Sequence, residues 1–102
     1  MTKTVYSIEE IKQKLEPIFR SAPIKRAILF GSYAKGEQTP SSDIDIAIDS
    51  EGQLLNINFY GVLDEVTECL DKRIDLIEIA EIRKDSPIYN VVEQEGVVLY
   101  AK

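Results

Sequence analysis

Apolar positions along this chain switch between two periods, and the switches mark its elements. Ile8, Ile11, Leu15, Ile18 and Phe19 recur at helical spacing, which predicts an amphipathic first helix with one core-facing stripe. Ser7 is placed to cap it and Glu10, three residues on, completes a capping box; Tyr6 and Ile11 flank the cap as a hydrophobic staple. Pro17 removes one backbone donor, so a kink or restart is expected there. Pro23 closes the segment, and Lys25–Phe30 reads as a first strand. Ser32–Gly36 has room only for a short helical turn. Glu37–Ser42 is a polar loop built on Thr39-Pro40-Ser41-Ser42.

The period then drops to two. In Asp43–Ile48 the isoleucines Ile44, Ile46 and Ile48 fall on one face, while Asp43, Asp45 and Ala47 fall on the other. Asn56–Lys72 returns to helical spacing with Phe59, Leu63, Val66 and Leu70 as its core stripe. Ile74–Ile79 is a third strand that again carries a carboxylate near its start, Asp75. Ser86 as cap, Pro87 in the first turn and Gly96 at the end frame a last short helix, and Val97–Tyr100 is a final strand. Without repeats, low-complexity segments or a long linker, residues 1–102 are expected to form one domain.

Composition narrows the chemistry. At 102 residues the chain buries about two-thirds of its unfolded surface, too little to carve a large cleft from one core. Net charge is −6 and there is no histidine, which excludes Ser-His-Asp and Cys-His catalysis and leaves zinc short of its usual ligands. An acidic chain without a Lys/Arg cluster is poorly suited to tracking a nucleic-acid backbone. Cys69, the only cysteine, cannot form an internal disulfide and is expected at a buried helix position. Nothing at the N-terminus reads as a signal peptide and no apolar run reaches membrane-spanning length, so a cytoplasmic location is expected.

The candidate chemistry lies in Gly31–Asp45, GSYAKGEQTPSSDID. A Gly-Ser turn with bare backbone N–H groups can hold phosphate, and an Asp-x-Asp heading a strand can hold a divalent cation. With four fixed residues at about 6–7% usage each, chance supplies this spacing in about two of every thousand chains of this length. For Gly31-Ser32 at the end of the first strand to meet Asp43, the first two strands must run antiparallel. For Asp75 to meet Asp43 and Asp45, the second and third must run parallel, with the intervening helix as crossover. The expected fold is therefore α+β: a small mixed β-sheet with helices packed on one face and the acidic face open to a ligand.

Three carboxylates on one face repel one another unless a cation joins them. Asp43, Asp45 and Asp75 are accordingly expected to ligate one or two Mg²⁺, with triphosphate oxygens completing the shells. Asp75 would stand nearest the attacking hydroxyl and help remove its proton. The Gly31 and Ser32 amides and the Ser32 hydroxyl would hold the β- and γ-phosphates at a short helix N-terminus. Blander roles exist for each: Gly31 could end a strand, Ser32 could cap a helix, and an isolated Asp-x-Asp could be a solvated face. Lys35 could reach a phosphate or stand in solvent without a role. Ser42 could orient the phosphates or only close its loop.

GSYAKGEQTPSSDIDIAI resembles the signature of the DNA polymerase β-like nucleotidyltransferase superfamily, a Gly-Ser, ten residues, then Asp-x-Asp. RIDLIEI is similar to its third-carboxylate strand, with the metal-binding position on Asp75, and SPIYNVVEQEGVVLY resembles the end of the minimal nucleotidyltransferases, or MNT proteins. The resemblance implies a polymerase β-like core, a two-metal Mg²⁺ site and ATP as substrate. It further implies an antitoxin of the HEPN/MNT type, transferring AMP to a tyrosine of a HEPN ribonuclease toxin. Lys35 stands where the family often has arginine. Larger members carry a further domain that helps select the acceptor, and the chain stops soon after its last strand, so a second polypeptide is expected to complete the site. Two other readings remain open: a non-enzymatic binding module acting by occlusion, and a transferase for small molecules such as aminoglycosides.

Overall fold

The computed structural model describes residues 5–54 and 57–102. Helix α1 spans Ile8–Arg20 and begins with the expected capping box: the Ser7 hydroxyl accepts the Glu10 N–H at 3.1 Å, and Glu10 accepts the Ser7 N–H at 2.9 Å. It runs through Pro17 as one element rather than restarting. Pro17 lies on the exposed side, where water can satisfy the carbonyl left without a donor. Strand β1 (Arg26–Phe30), the single turn of α2 (Ser32–Lys35) and β2 (Ile44–Asp49) follow, then α3 (Ile57–Leu70) and β3 (Ile74–Glu78). A 3₁₀ turn at Ile79–Glu81, α4 (Pro87–Glu95) and β4 (Val97–Ala101) complete the order. The expected strands agree to within a residue or two; the first residue of the expected third helix, Asn56, lies outside the described residues.

The sheet order is β3-β2-β1-β4, with β2 and β3 parallel and the other pairs antiparallel. This mixed topology is the one the acidic residues required, and α3 is its crossover. Alternation on the strands then fixes two faces. Ala27, Leu29, Ile44, Ile46, Ile48, Leu76 and Leu99 bury against Ile11, Leu15 and Phe19 of α1 and Val62, Val66 and Leu70 of α3. The α3 stripe is centred on Val62, Val66 and Leu70, with Phe59 and Leu63 packed at its margin. Tyr6 is buried too, and its hydroxyl donates to the Leu70 carbonyl at 2.7 Å, tying the start of α1 to the end of α3.

Two expectations need correction. Cys69 is exposed, its sulfur 3.5 Å from the Lys14 carbonyl oxygen; it falls one position outside the buried α3 stripe, toward the rim of the α1 contact. And while α1 and α3 share one face, the short α4 packs on the other. There Val92 joins Ile28, Phe30, Ala47 and Ile79, with Ile77, Tyr89 and Val91 at the edge. Apolar residues on the second face of β1 demanded that cover. The acidic face is thus open at one end only, where Asp43, Asp45 and Asp75 lie. No helix among the described residues is long and apolar enough to cross a membrane.

Candidate active site

The site begins where β1 stops. Gly31 turns the chain into α2 with φ 75° and ψ −151°, a combination open to glycine almost alone. Gly31 and Ser32 carbonyls accept the N–H groups of Lys35 at 3.2 Å and Glu37 at 3.0 Å, which closes the turn. Buried Tyr33 anchors it to the core. Antiparallel register sets Phe30 opposite Asp45, so Gly31 lies directly over that side chain. A Cβ on Gly31 would collide with the Asp45 carboxylate, its Cγ being 3.1 Å away. The glycine therefore answers two demands, a backbone conformation and a close approach.

Parallel register places Asp45 opposite Asp75 on β3. Asp43, two residues earlier, shares their face. Asp43 and Asp75 are exposed and Asp45 is half-buried. Among the described residues, none of the three has a Lys or Arg nitrogen within 4.0 Å, and none accepts a hydrogen bond. Asp49, further along the same face of β2, shows the contrast. Its carboxylate meets Arg26 Nε at 3.5 Å, and the same guanidinium reaches Glu93 of α4 at 3.0 Å. Asp49 is structural; the other three have no such partner among the described residues. Burial, and then the Asp75 and Asp43 charges, push the Asp45 carboxyl above its usual range.

Whether this donor set suits a divalent cation follows from the same geometry. Among the described residues no three acidic side chains converge closely enough to cage an ion by themselves. They form a partial, oxygen-only set on an open face. That suits Mg²⁺, which keeps several positions for water and substrate phosphate and takes only one or two carboxylates from the protein.

The remaining candidates divide. Ser32 is half-buried on the turn beside Gly31. The Lys35 ammonium, on an exposed side chain, lies 4.0 Å from Glu95 at the end of α4. The Ser42 hydroxyl is held within its own loop, accepting the Thr39 N–H at 2.8 Å, while the Ser42 N–H donates to the Thr39 carbonyl at 3.0 Å. Two features escaped the sequence: the α4 wall beside the acids, and Lys72, a lysine that is only 3% exposed. The apolar second face of β1, Ile28 and Phe30, was the available signal for the wall. Lys72 carried none, since lysine at a helix end reads as solvated.

Comparison with known proteins places the fold in a family. The family model for the polymerase β nucleotidyltransferase domain matches residues 13–102. A Methanocaldococcus jannaschii protein, named provisionally as a protein adenylyltransferase, is 42% identical over 72 residues, covering 70% of this chain and 76% of its own. Among solved structures, a toxin–antitoxin complex with AMP-PNP superposes with a TM-score of 0.77 at 27% identity, over 89% of this chain and 73% of the matched one. The MNT antitoxin bound to a tri-AMPylated HEPN toxin of Shewanella oneidensis has the same fold, with a TM-score of 0.72 at 23% identity, over 93% and 73%.

Proposed function

We propose a function from one premise: the chain belongs to the polymerase β nucleotidyltransferase family. In this reading it is an ATP-dependent protein adenylyltransferase of the cytoplasm. It moves AMP to a tyrosine hydroxyl of a HEPN-type ribonuclease toxin and so acts as the antitoxin of the pair. The observation that carries the reading is the set of three aspartates on one face, unpaired among the described residues, with Asp45 and Asp75 in register and Gly31 stacked over Asp45. A relative named for protein adenylylation supports the acceptor class, and a toxin–antitoxin complex holding AMP-PNP supports the nucleotide and the kind of partner.

Each residue then has a role. Asp43, Asp45 and Asp75 would hold one or two Mg²⁺, which when bound neutralise triphosphate charge and lower the pKa of the acceptor hydroxyl. The bare Cα of Gly31 lets the Asp45 carboxylate lie against the turn that would receive the triphosphate. The Gly31 and Ser32 N–H groups and the Ser32 hydroxyl donate to its β- and γ-oxygens. Lys35 leaves Glu95 to reach the outer phosphates, and Ser42 acts by shaping the loop into Asp43. The acceptor oxygen bonds to the α-phosphorus, the bond from that phosphorus to the β-bridging oxygen breaks, and pyrophosphate departs. Asp75, exposed at the start of β3, takes the hydroxyl proton.

The test is to mix the protein with ATP, Mg²⁺ and a HEPN-type protein from the same genome, then measure intact mass. The expected result is a gain of one or more AMP units on the partner, mapped to tyrosine by fragmentation and absent with Asp43→Asn. Neutralisation without any mass change, equally strong with Asp43→Asn, would replace catalysis by occlusion.

A further inference from the structure

Lys72 is the one lysine buried to 3% exposure among the described residues. Its ammonium has a single hydrogen-bond partner there, the Pro40 carbonyl at 2.9 Å. A buried ammonium facing only a neutral carbonyl is costly, and a methionine of similar length would fill the space without that cost. Asp71, just past the end of α3, adopts φ 51°, the left-handed turn that ends the helix before Lys72.

What the contact holds is the loop that delivers Asp43. Thr39 and Ser42 are cross-bonded through the Thr39 N–H to the Ser42 hydroxyl, the Ser42 N–H to the Thr39 carbonyl, and their two hydroxyls at 3.2 Å. Pro40 sits inside that turn, so pinning its carbonyl pins Ser42 and the residue after it. Asp43 precedes β2, whose ladder begins at Ile44, paired with Ile74 and bonded to the Arg73 carbonyl at 3.1 Å. Lys72 is the residue before Arg73. It therefore joins the strand bearing Asp75 to the loop bearing Asp43. Among the described residues no carboxylate oxygen lies within 4.0 Å of the Lys72 ammonium, so what it holds is the Pro40 carbonyl and with it the turn.

We propose that Lys72 is a positioning residue: its buried ammonium straps the Thr39–Ser42 turn to the junction of α3 and β3 and so sets the separation of Asp43 from Asp75. This rests on the reading of those two aspartates as the carboxylates that hold Mg²⁺.

The experiment compares wild type with Lys72→Met and Lys72→Arg. Amide exchange at Thr39 and Ser42 is expected to quicken about tenfold or more in Lys72→Met, and Mg²⁺·AMP-PNP affinity to fall about tenfold, the lower end of what loss of a ligand-orienting contact costs. Thermal stability should hold or rise, and the rate at saturating Mg²⁺·ATP should change less than KM. Lys72→Arg, still able to donate to Pro40, should recover affinity to within about threefold. Wild-type loop exchange and affinity in Lys72→Met would overturn the proposal. So would a parallel loss of stability and affinity that Lys72→Arg does not reverse. If Lys72→Met does not fold, Lys72→Gln, with a donor too short to reach Pro40, must show the same loosened loop. Asp43→Asn separates the two ideas: if it binds Mg²⁺·AMP-PNP like wild type, the metal reading fails, while loop exchange still decides the strap.

Discussion

Asp45 and Gly31 meet at the centre of the site, and each makes a testable demand. The Asp45 carboxyl is raised above its usual range by burial first, then by the Asp75 and Asp43 charges. A raised folded-state pKa means the native state binds the proton more tightly than the unfolded chain. The associated stability is present at low pH and is lost as pH climbs from the ordinary carboxylate value through the raised one. In metal-free buffer Asp45→Asn should therefore raise Tm at neutral pH, with the gain shrinking as pH falls below the carboxylate range. The same change should lower AMP transfer by roughly a hundredfold or more, since several kcal/mol of charge stabilisation are lost with a metal ligand. Paired melting curves across pH and a transfer assay check both halves; a variant less stable than wild type at neutral pH would make the carboxylate structural. Gly31→Val sets a branched Cβ against the Asp45 carboxylate in a backbone conformation reserved for glycine. It should cost about 1–3 kcal/mol in urea unfolding and abolish transfer, while pull-down of the partner persists.

Elements carry the next level of specification, and α1 shows how local it is. Its capping box, Ser7 with Glu10, was written in the sequence and is present in the structure. Ser7→Ala should cost about 1 kcal/mol in urea unfolding, with the first turn of α1 losing amide protection before any other part of the helix. The Glu10 carboxyl is held below its usual range, chiefly by the Ser7 N–H. Its contribution is present above the ordinary carboxylate value and fades as pH falls through the lowered one, the reverse of Asp45. Strands β1 to β3 were equally legible, because period-two alternation and the need to gather three aspartates left one antiparallel and one parallel pairing. What sequence periodicity could not supply was long-range. The α4 helix was framed by Ser86, Pro87 and Gly96, yet nothing local says which sheet face Val92 covers. Cys69 was misplaced because a one-residue rotation of the α3 stripe, set by packing on α1, decides its exposure. Lys72 was invisible because burial of a lysine depends on where the Pro40 loop lies, some thirty residues away in the chain.

At the scale of the whole molecule the governing quantity is charge. The chain carries −6 overall, and three aspartates, unpaired among the described residues, stand at the open end of the face, beyond the α4 wall. The nearest identified cation on the turn is Lys35, 4.0 Å from a carboxylate of its own. A nucleoside triphosphate, itself highly anionic, would approach this end against the repulsion of all three carboxylates. Monovalent salt weakens such repulsion by screening but cannot join phosphate to carboxylate, whereas one Mg²⁺ coordinates both. Calorimetry should therefore find ATP binding with Mg²⁺ and a loss of at least about a hundredfold with EDTA, some 2.7 kcal/mol. Sodium chloride matched in ionic strength to the magnesium salt should not restore it. If ATP binds equally well in EDTA, the carboxylates are not what receives the nucleotide. If sodium chloride restores binding, the acids act only as a screened field and no coordinating ion is needed. Binding that requires the divalent ion and disappears with Asp43→Asn assigns the nucleotide to this end of the sheet, since Asp43 is exposed and, among the described residues, has no ion-pair partner that its loss would disturb.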